Sequence, residues 1–75
     1  MEYIYFGASW CSPCKTLTPE VSASPKNIQI LDVDTNKVLA DKFGISSVPM
    51  IIGVTGGGVF ERYLGAPSIR KFLKT

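Results

Sequence analysis

Trp10-Cys11-Ser12-Pro13-Cys14-Lys15 holds both cysteines of the chain, two residues apart, directly after the apolar run Tyr3-Ile4-Tyr5-Phe6 and before a helix-compatible segment. That order carries more information than the spacing. A strand delivers Cys11 to a helix N-terminus, where unpaired backbone N–H groups and the helix dipole favour negative charge. A thiolate is stabilised there and can attack a disulfide near neutral pH. Cys14 lies one turn along and can close an internal disulfide. Ser12 reads as the N-cap, and Pro13 suits the first turn, where its missing N–H costs nothing.

Three chemistries fit a C-x-x-C pair. Half of a zinc site would need two further Cys or His ligands, and the chain has no histidine and no third cysteine. A purely structural bridge is a second option, but so short a loop removes little chain entropy. The third is a redox-active dithiol, which requires a strand–helix scaffold from the rest of the chain.

Outward from the motif, residues 2–7 read as a first strand whose unbroken apolar run implies burial on both faces. Gly7-Ala8-Ser9 is a loop of small residues, and Trp10 is placed to lie over the sulfurs. A helix is expected from Ser12 to Val21 or Ala23, with Cys14, Leu17 and Val21 as its inward stripe and Pro19 loosening its middle. Ile28 to Val33 form a second strand. Asp34 or Thr35 is the expected cap of a short helix over Lys37 to Phe43, with Val38, Leu39 and Phe43 inward and Gly44 as its C′ residue. Met50–Val54 and Val59–Leu64 read as a hairpin across Thr55-Gly56-Gly57-Gly58. That glycine run lacks the strand-to-helix context of a phosphate loop. A last helix is expected over about residues 67–74, with Ile69, Phe72 and Leu73 inward.

The resulting order is β-α-β-α-β-β-α. A helical crossover makes the first two strands parallel and right-handed, and the hairpin makes the last two antiparallel. This predicts a single α/β domain over residues 1–75: one four-stranded mixed sheet with helices on both faces.

Bulk composition narrows the function classes. The chain has 75 residues, 45% hydrophobic and 19% charged, with a formal net charge of +2. That charge is too small to imply nucleic acid or a membrane surface. No run approaches the roughly 18 apolar residues of a membrane span. Met1-Glu2-Tyr3 lacks the basic start of a secretory signal, so a reducing, cytoplasmic setting and a catalytic cysteine pair are expected.

The chain resembles the thioredoxin superfamily at Phe6, Ala8, Trp10-Cys11, Pro13-Cys14-Lys15, Pro19, Val33-Asp34 with Asn36, Phe43-Gly44-Ile45, Val48-Pro49 and Leu64-Gly65-Ala66. These anchors span nearly the whole chain in order. The resemblance implies a thioredoxin-like fold and a thiol–disulfide oxidoreductase that needs no cofactor beyond its own redox-active disulfide. Cys11 would be the exposed nucleophile and Cys14 the buried resolving thiol. Pro49 would be a cis-proline beside them. Trp10, Ser12, Pro13, Val48, Pro49 and Gly65 would form the surface that takes an extended substrate segment. The implied partners are protein disulfides, such as that of ribonucleotide reductase, and a thioredoxin-reductase-like or small-thiol reductant. A monomer is expected.

Two departures matter. The chain begins at the C-x-x-C strand, without the extra N-terminal strand and helix of larger thioredoxins. It is glutaredoxin-sized, but Leu64-Gly65-Ala66-Pro67 replaces the glutathione-binding Gly-Gly-acidic segment of glutaredoxins, so no carboxylate clamp is evident and Lys15 and Arg62 offer at most weak contact to an anion. Thioredoxins also place a buried Asp and a Lys behind the second cysteine, where this sequence has Tyr5 and Ile30. Without that carboxylate the usual proton acceptor for Cys14 is missing, water or the departing thiolate has to serve, and resolution of the mixed disulfide is expected to be slower than in the larger relatives. The alternatives are a glutathione-dependent glutaredoxin-like protein and a non-catalytic binding module using Trp10, Met50 and Tyr63 as an exposed surface.

Overall fold

A strand with no polar break has to be covered on both faces, and the structure, a computed structural model describing residues 1–75, covers its first strand on both. The elements are β1 (Glu2–Gly7), α1 (Ser12–Ala23), β2 (Ile28–Asp32), α2 (Lys37–Lys42), β3 (Met50–Thr55), β4 (Gly58–Leu64) and α3 (Ala66–Leu73). They form one four-stranded sheet in the order β2-β1-β3-β4, with β1 and β2 parallel and the other pairs antiparallel. Element order, sheet size, the parallel β1–β2 pair and the antiparallel β3–β4 hairpin are as the sequence predicts; the antiparallel β1–β3 pair, which fixes the strand order, has no local signal.

The pleat sorts the central side chains into two cores. Ile4 and Phe6 of β1 join Met50, Ile52 and Val54 of β3 under Ala40 of α2. Tyr5 and Ile51 point the other way and pack with Leu17 and Val21 of α1 and Ile69 and Phe72 of α3. Gly7 permits the second arrangement. A Cβ there would lie 2.9 Å from the Tyr5 ring, which runs alongside on the same face.

Several local expectations are corrected. Asn36, not Asp34 or Thr35, is the N-cap residue of α2, and it makes no side-chain cap bond. The Asn36 amide instead donates to the Asp32 carbonyl. Val38 is 84% exposed and Leu39 lies at the surface, while Ala40 faces the core and Phe43 packs against it. The C-terminal end of α2 sets this rotation. Gly44 at φ +68° closes a Schellman turn in which Ile45 N–H meets the Ala40 carbonyl and Gly44 N–H the Asp41 carbonyl. Arg62 from β4 then donates to the Phe43 carbonyl at 2.7 Å. β2 stops at Asp32, although Val33 N–H still reaches the Gly7 carbonyl at 2.9 Å. In the hairpin the turn is Gly56-Gly57 alone, both at positive φ, so β3 extends to Thr55 and β4 starts at Gly58.

One ion pair joins the two helices on the same face. Arg70 of α3 donates to Glu20 of α1, at 2.8 Å for the shortest contact. That hydrogen bond, against an opposing effect of desolvation, holds the Glu20 carboxyl below the usual carboxylate range. The unfolded chain therefore takes up this proton more readily. The pair's stabilisation is complete above the ordinary glutamate value and is lost as pH falls through the lowered one. Both side chains are substantially solvated, so the effect is small. We predict that Arg70→Gln lowers the urea midpoint slightly at neutral pH and that the gap to wild type closes on acidification. A gap that stays constant with pH would show that Glu20 ionisation is not its source.

Candidate active site

Small residues bring the chain out of β1 and turn it into α1 within four positions. The Cys11 N–H donates to the Ala8 carbonyl at 3.2 Å, which folds the loop tightly under the motif. Cys11 itself is the N-cap of α1, with extended backbone, and Ser12 is the first helical residue. This corrects the expected N-cap. A sulfur takes the place a serine oxygen was expected to fill: Cys14 N–H donates to Cys11 Sγ at 3.3 Å. Pro13 lies in the first turn, where it leaves no donor unpaired. An anionic sulfur at this cap would accept the same hydrogen bond and lie at the positive end of the helix dipole.

Cys11 and Cys14 are joined by a disulfide with their Cα atoms 5.2 Å apart, inside the range such a bridge requires. Their exposures are 6% and 2%. Cys14 is buried as expected, but Cys11 reaches solvent only at an edge. The reason is packing from two loops: Ala8 completes the buried cluster, and Val33 and Val48 lie against it. Trp10 is not part of that cover. It is 65% exposed, and its indole N–H donates to Asp34 Oδ2 at 2.9 Å. Val33 and Val48 shield the sulfurs in its stead.

The loop before β3 supplies the other wall. The Val48–Pro49 peptide bond is cis, Pro49 is buried and Val48 is half-buried. Neither the N–H nor the C=O of Val48 has a hydrogen-bond partner in the backbone network. The Pro49 carbonyl accepts from Gly65 N–H at 3.0 Å, which ties the start of β3 to the start of α3. Gly65 holds φ +86° and is the N-cap residue of α3, a conformation glycine adopts without strain. Cys11, Cys14 and Val48 are thus in one cluster, and Pro49 and Gly65 are bonded beside it. Ser12 and Pro13 form an exposed rim, and Trp10 stands out beyond it. Met50 is buried, which removes it from the surface suggested for a binding module.

Behind Cys14, between α1 and the β1–β2 edge, is a pocket of about 270 Å³ whose lining includes Tyr5, Cys14, Lys15, Thr18, Ile30 and Asp32. Tyr5 is fully buried, and its hydroxyl shares a 2.8 Å hydrogen bond with Thr18 Oγ1. Burial pushes the Tyr5 phenol up, only partly opposed by the Thr18 bond. Ile30, which stands in this sequence at the position of the lysine noted above, is 39% exposed, so that position is at the surface. No group of three or more His, Cys, Asp or Glu side chains gathers in metal-binding geometry. No helix is long and apolar enough to cross a membrane.

Sequence reasoning missed Thr18, Asp32 and Ala8 as members of this region, and it assigned Asp34 to the wrong task. Thr18 was accessible from its spacing, four residues after Cys14 on the same helix face. The Asp34–Trp10 bond spans 24 residues and has no local signal.

Comparison with known proteins agrees with this geometry. The thioredoxin family model matches residues 2–75. A thioredoxin from Chlamydia muridarum is 38% identical over 65 residues, covering 80% of this chain and 64% of that protein. A bifunctional thioredoxin reductase/thioredoxin from Mycobacterium leprae is 39% identical over 67 residues, 81% of this chain and 15% of that protein. The chain thus spans less than two thirds of the length of these curated relatives. Among solved structures, Fasciola hepatica thioredoxin superposes with a TM-score of 0.81 at 28% identity, covering 96% of this chain and 76% of that one.

Proposed function

The chain belongs to the thioredoxin family, and on that premise we propose that it is a thiol–disulfide oxidoreductase that reduces protein disulfides with Cys11 and Cys14. Residues 1–75 act as one domain and use no cofactor other than that cysteine pair. A single observation carries the reading: Cys11 Sγ sits at the N-cap of α1, bonded to Cys14 N–H, beside a Val48 whose backbone donor and acceptor have no backbone partner.

In the reduced protein the Cys11 thiolate, held by the Cys14 N–H and the helix dipole, attacks one sulfur of a substrate disulfide. The substrate's second sulfur leaves as a thiolate, and a mixed disulfide to Cys11 remains. The Cys14 thiolate then attacks Cys11 Sγ. The Cys11–Cys14 bond forms, the bond to the substrate breaks, and two electrons have passed to the substrate. An extended substrate segment pairs with the free N–H and C=O of Val48, as a strand adds to a sheet edge. Pro49 and Gly65 shape the floor of that groove, while Ser12, Pro13 and Trp10 form its rim. Cys11 is 6% exposed in a cluster against which Val33 and Val48 pack, which favours a disulfide presented along this groove.

A reductase or a small thiol must regenerate the dithiol, which favours a reducing, cytoplasmic setting and a monomeric carrier. Glutathione is the second candidate reductant. Against it, Arg62, one of the two candidate cations for that role, is already bonded to the Phe43 carbonyl and contacts Met50 Sδ. Insulin reduction driven by NADPH and a thioredoxin reductase, set beside reduction of a glutathione mixed disulfide, separates the two. Turnover is expected in the first assay. Turnover confined to the second would replace this reading with the glutathione-dependent one.

A further inference from the structure

Within the oxidoreductase reading just proposed, Cys14 must give up a proton before it attacks Cys11, and its own surroundings offer few places for it. Cys14 is buried, and it lines the pocket of about 270 Å³ behind α1. That volume accommodates several waters at about 30 Å³ each. Ser9, Lys15 and Ile30, all exposed, form its mouth, so it opens to solvent.

The lining groups differ in what they can accept. The Tyr5 hydroxyl is tied to Thr18, and a buried neutral phenol is a weak base. Thr18 is no base, and the Lys15 ammonium has no lone pair to offer. Asp32 remains. Its Oδ1 accepts from Asp34 N–H at 2.7 Å, and no protein donor reaches Oδ2.

We propose that Asp32 takes up, through water in this pocket, the proton that Cys14 releases when it resolves the mixed disulfide. The Cys14 S–H proton passes to water and on to the carboxylate. The thiolate electron pair forms the bond to Cys11 Sγ, and the substrate sulfur departs with the pair from the broken bond. It is reprotonated from solvent, to which Asp32 returns its proton. Asp32 acts through water and is a positioning group for the proton, not a group in contact with the reacting sulfurs. The charged and titratable groups that face it are Lys15 from α1, Tyr5 from β1 and Asp34 in the turn after β2.

Asp32→Asn tests this with little structural change, because an amide oxygen still accepts from Asp34 N–H. The reduced protein is mixed with a chromogenic aromatic disulfide that releases one coloured thiolate when Cys11 attacks and a second when Cys14 resolves. The first release is expected at the wild-type rate. The second is expected to slow about 10²-fold near neutral pH, the low end of general-base effects. The gap should narrow as rising pH ionises Cys14 without help, and Asp32→Glu should recover most of the rate. Simple electrostatics predicts the opposite sign: removing a nearby negative charge favours the Cys14 thiolate and speeds its attack. A second release as fast as wild type, or faster, therefore overturns the role of Asp32. Absence of the first release in wild type as well would overturn the oxidoreductase reading beneath it.

Discussion

Cys11→Ser is expected to abolish disulfide reduction, with a loss of more than about 10³-fold, while Cys14→Ser is expected to stop after one step with substrate covalently attached. The asymmetry follows from position. Only Cys11 lies at the helix N-cap with an N–H bonded to its sulfur, so only Cys11 is favoured as the attacking thiolate. A serine hydroxyl in its place is far less nucleophilic at neutral pH. Cys14 contributes intramolecular attack, whose effective concentration reaches about 10⁵ M or more in well-oriented systems. Without it the mixed disulfide is released only by outside thiols. Mass spectrometry after mixing each variant with a protein disulfide reads the result directly. Cys14→Ser should give a stable adduct of the summed masses, and Cys11→Ser should give none. Turnover retained by both variants would show that the pair is structural and would leave the binding-module reading standing.

The second large effect concerns the core that carries the motif. Ile51→Ala is expected to cost about 2–5 kcal/mol, the usual range for truncating a large aliphatic side chain in a sealed core. Ile51 is fully buried on β3 and packs among Tyr5, Leu17, Ile69 and Phe72, so it joins the sheet to both helices on that face. A domain of this size is stable by only about 4–11 kcal/mol, so much of that margin disappears. In urea the midpoint of the oxidised protein should fall by roughly 2 M. Val38→Ala is the control. Because Val38 projects into solvent, its truncation should change stability by no more than about 0.5 kcal/mol. Equal losses from the two substitutions would mean that α2 is rotated the other way and that Val38, not Ala40, faces the sheet.

That comparison also marks how far the sequence could be read. An apolar run such as Tyr3-Ile4-Tyr5-Phe6 reads as a central strand because it is rich in strand formers, closed by Gly7 and too short for a buried helix. Glycines at Gly44 and Gly56-Gly57 mark their turns because few other residues accept positive φ. The position of Cys11 at the start of α1 followed from strand–loop–helix order alone. The rotation of α2 did not follow. Its six residues are too few for hydrophobic periodicity to choose a face, and its packing is settled by a Schellman turn and a guanidinium from β4.

The β1–β3 pairing that closes the sheet was therefore left to tertiary structure, while the chain's local patterns determined the β-α-β-α-β-β-α order, the parallel β1–β2 crossover, the β3–β4 hairpin and the placing of two sulfurs where α1 begins. Such features depend on backbone preferences and side-chain period over a few neighbouring residues. Tertiary structure decided what surrounds those sulfurs: Val33 and Val48 as their cover, Asp34 as the partner of Trp10, Pro49 bonded to Gly65, and a pocket that sets Asp32 and Tyr5 behind Cys14. Each of these brings together residues at least 9 positions apart, Cys14 and Tyr5 being the nearest pair. No short window of sequence contains both partners, and only the closing of the sheet and helices puts them in contact.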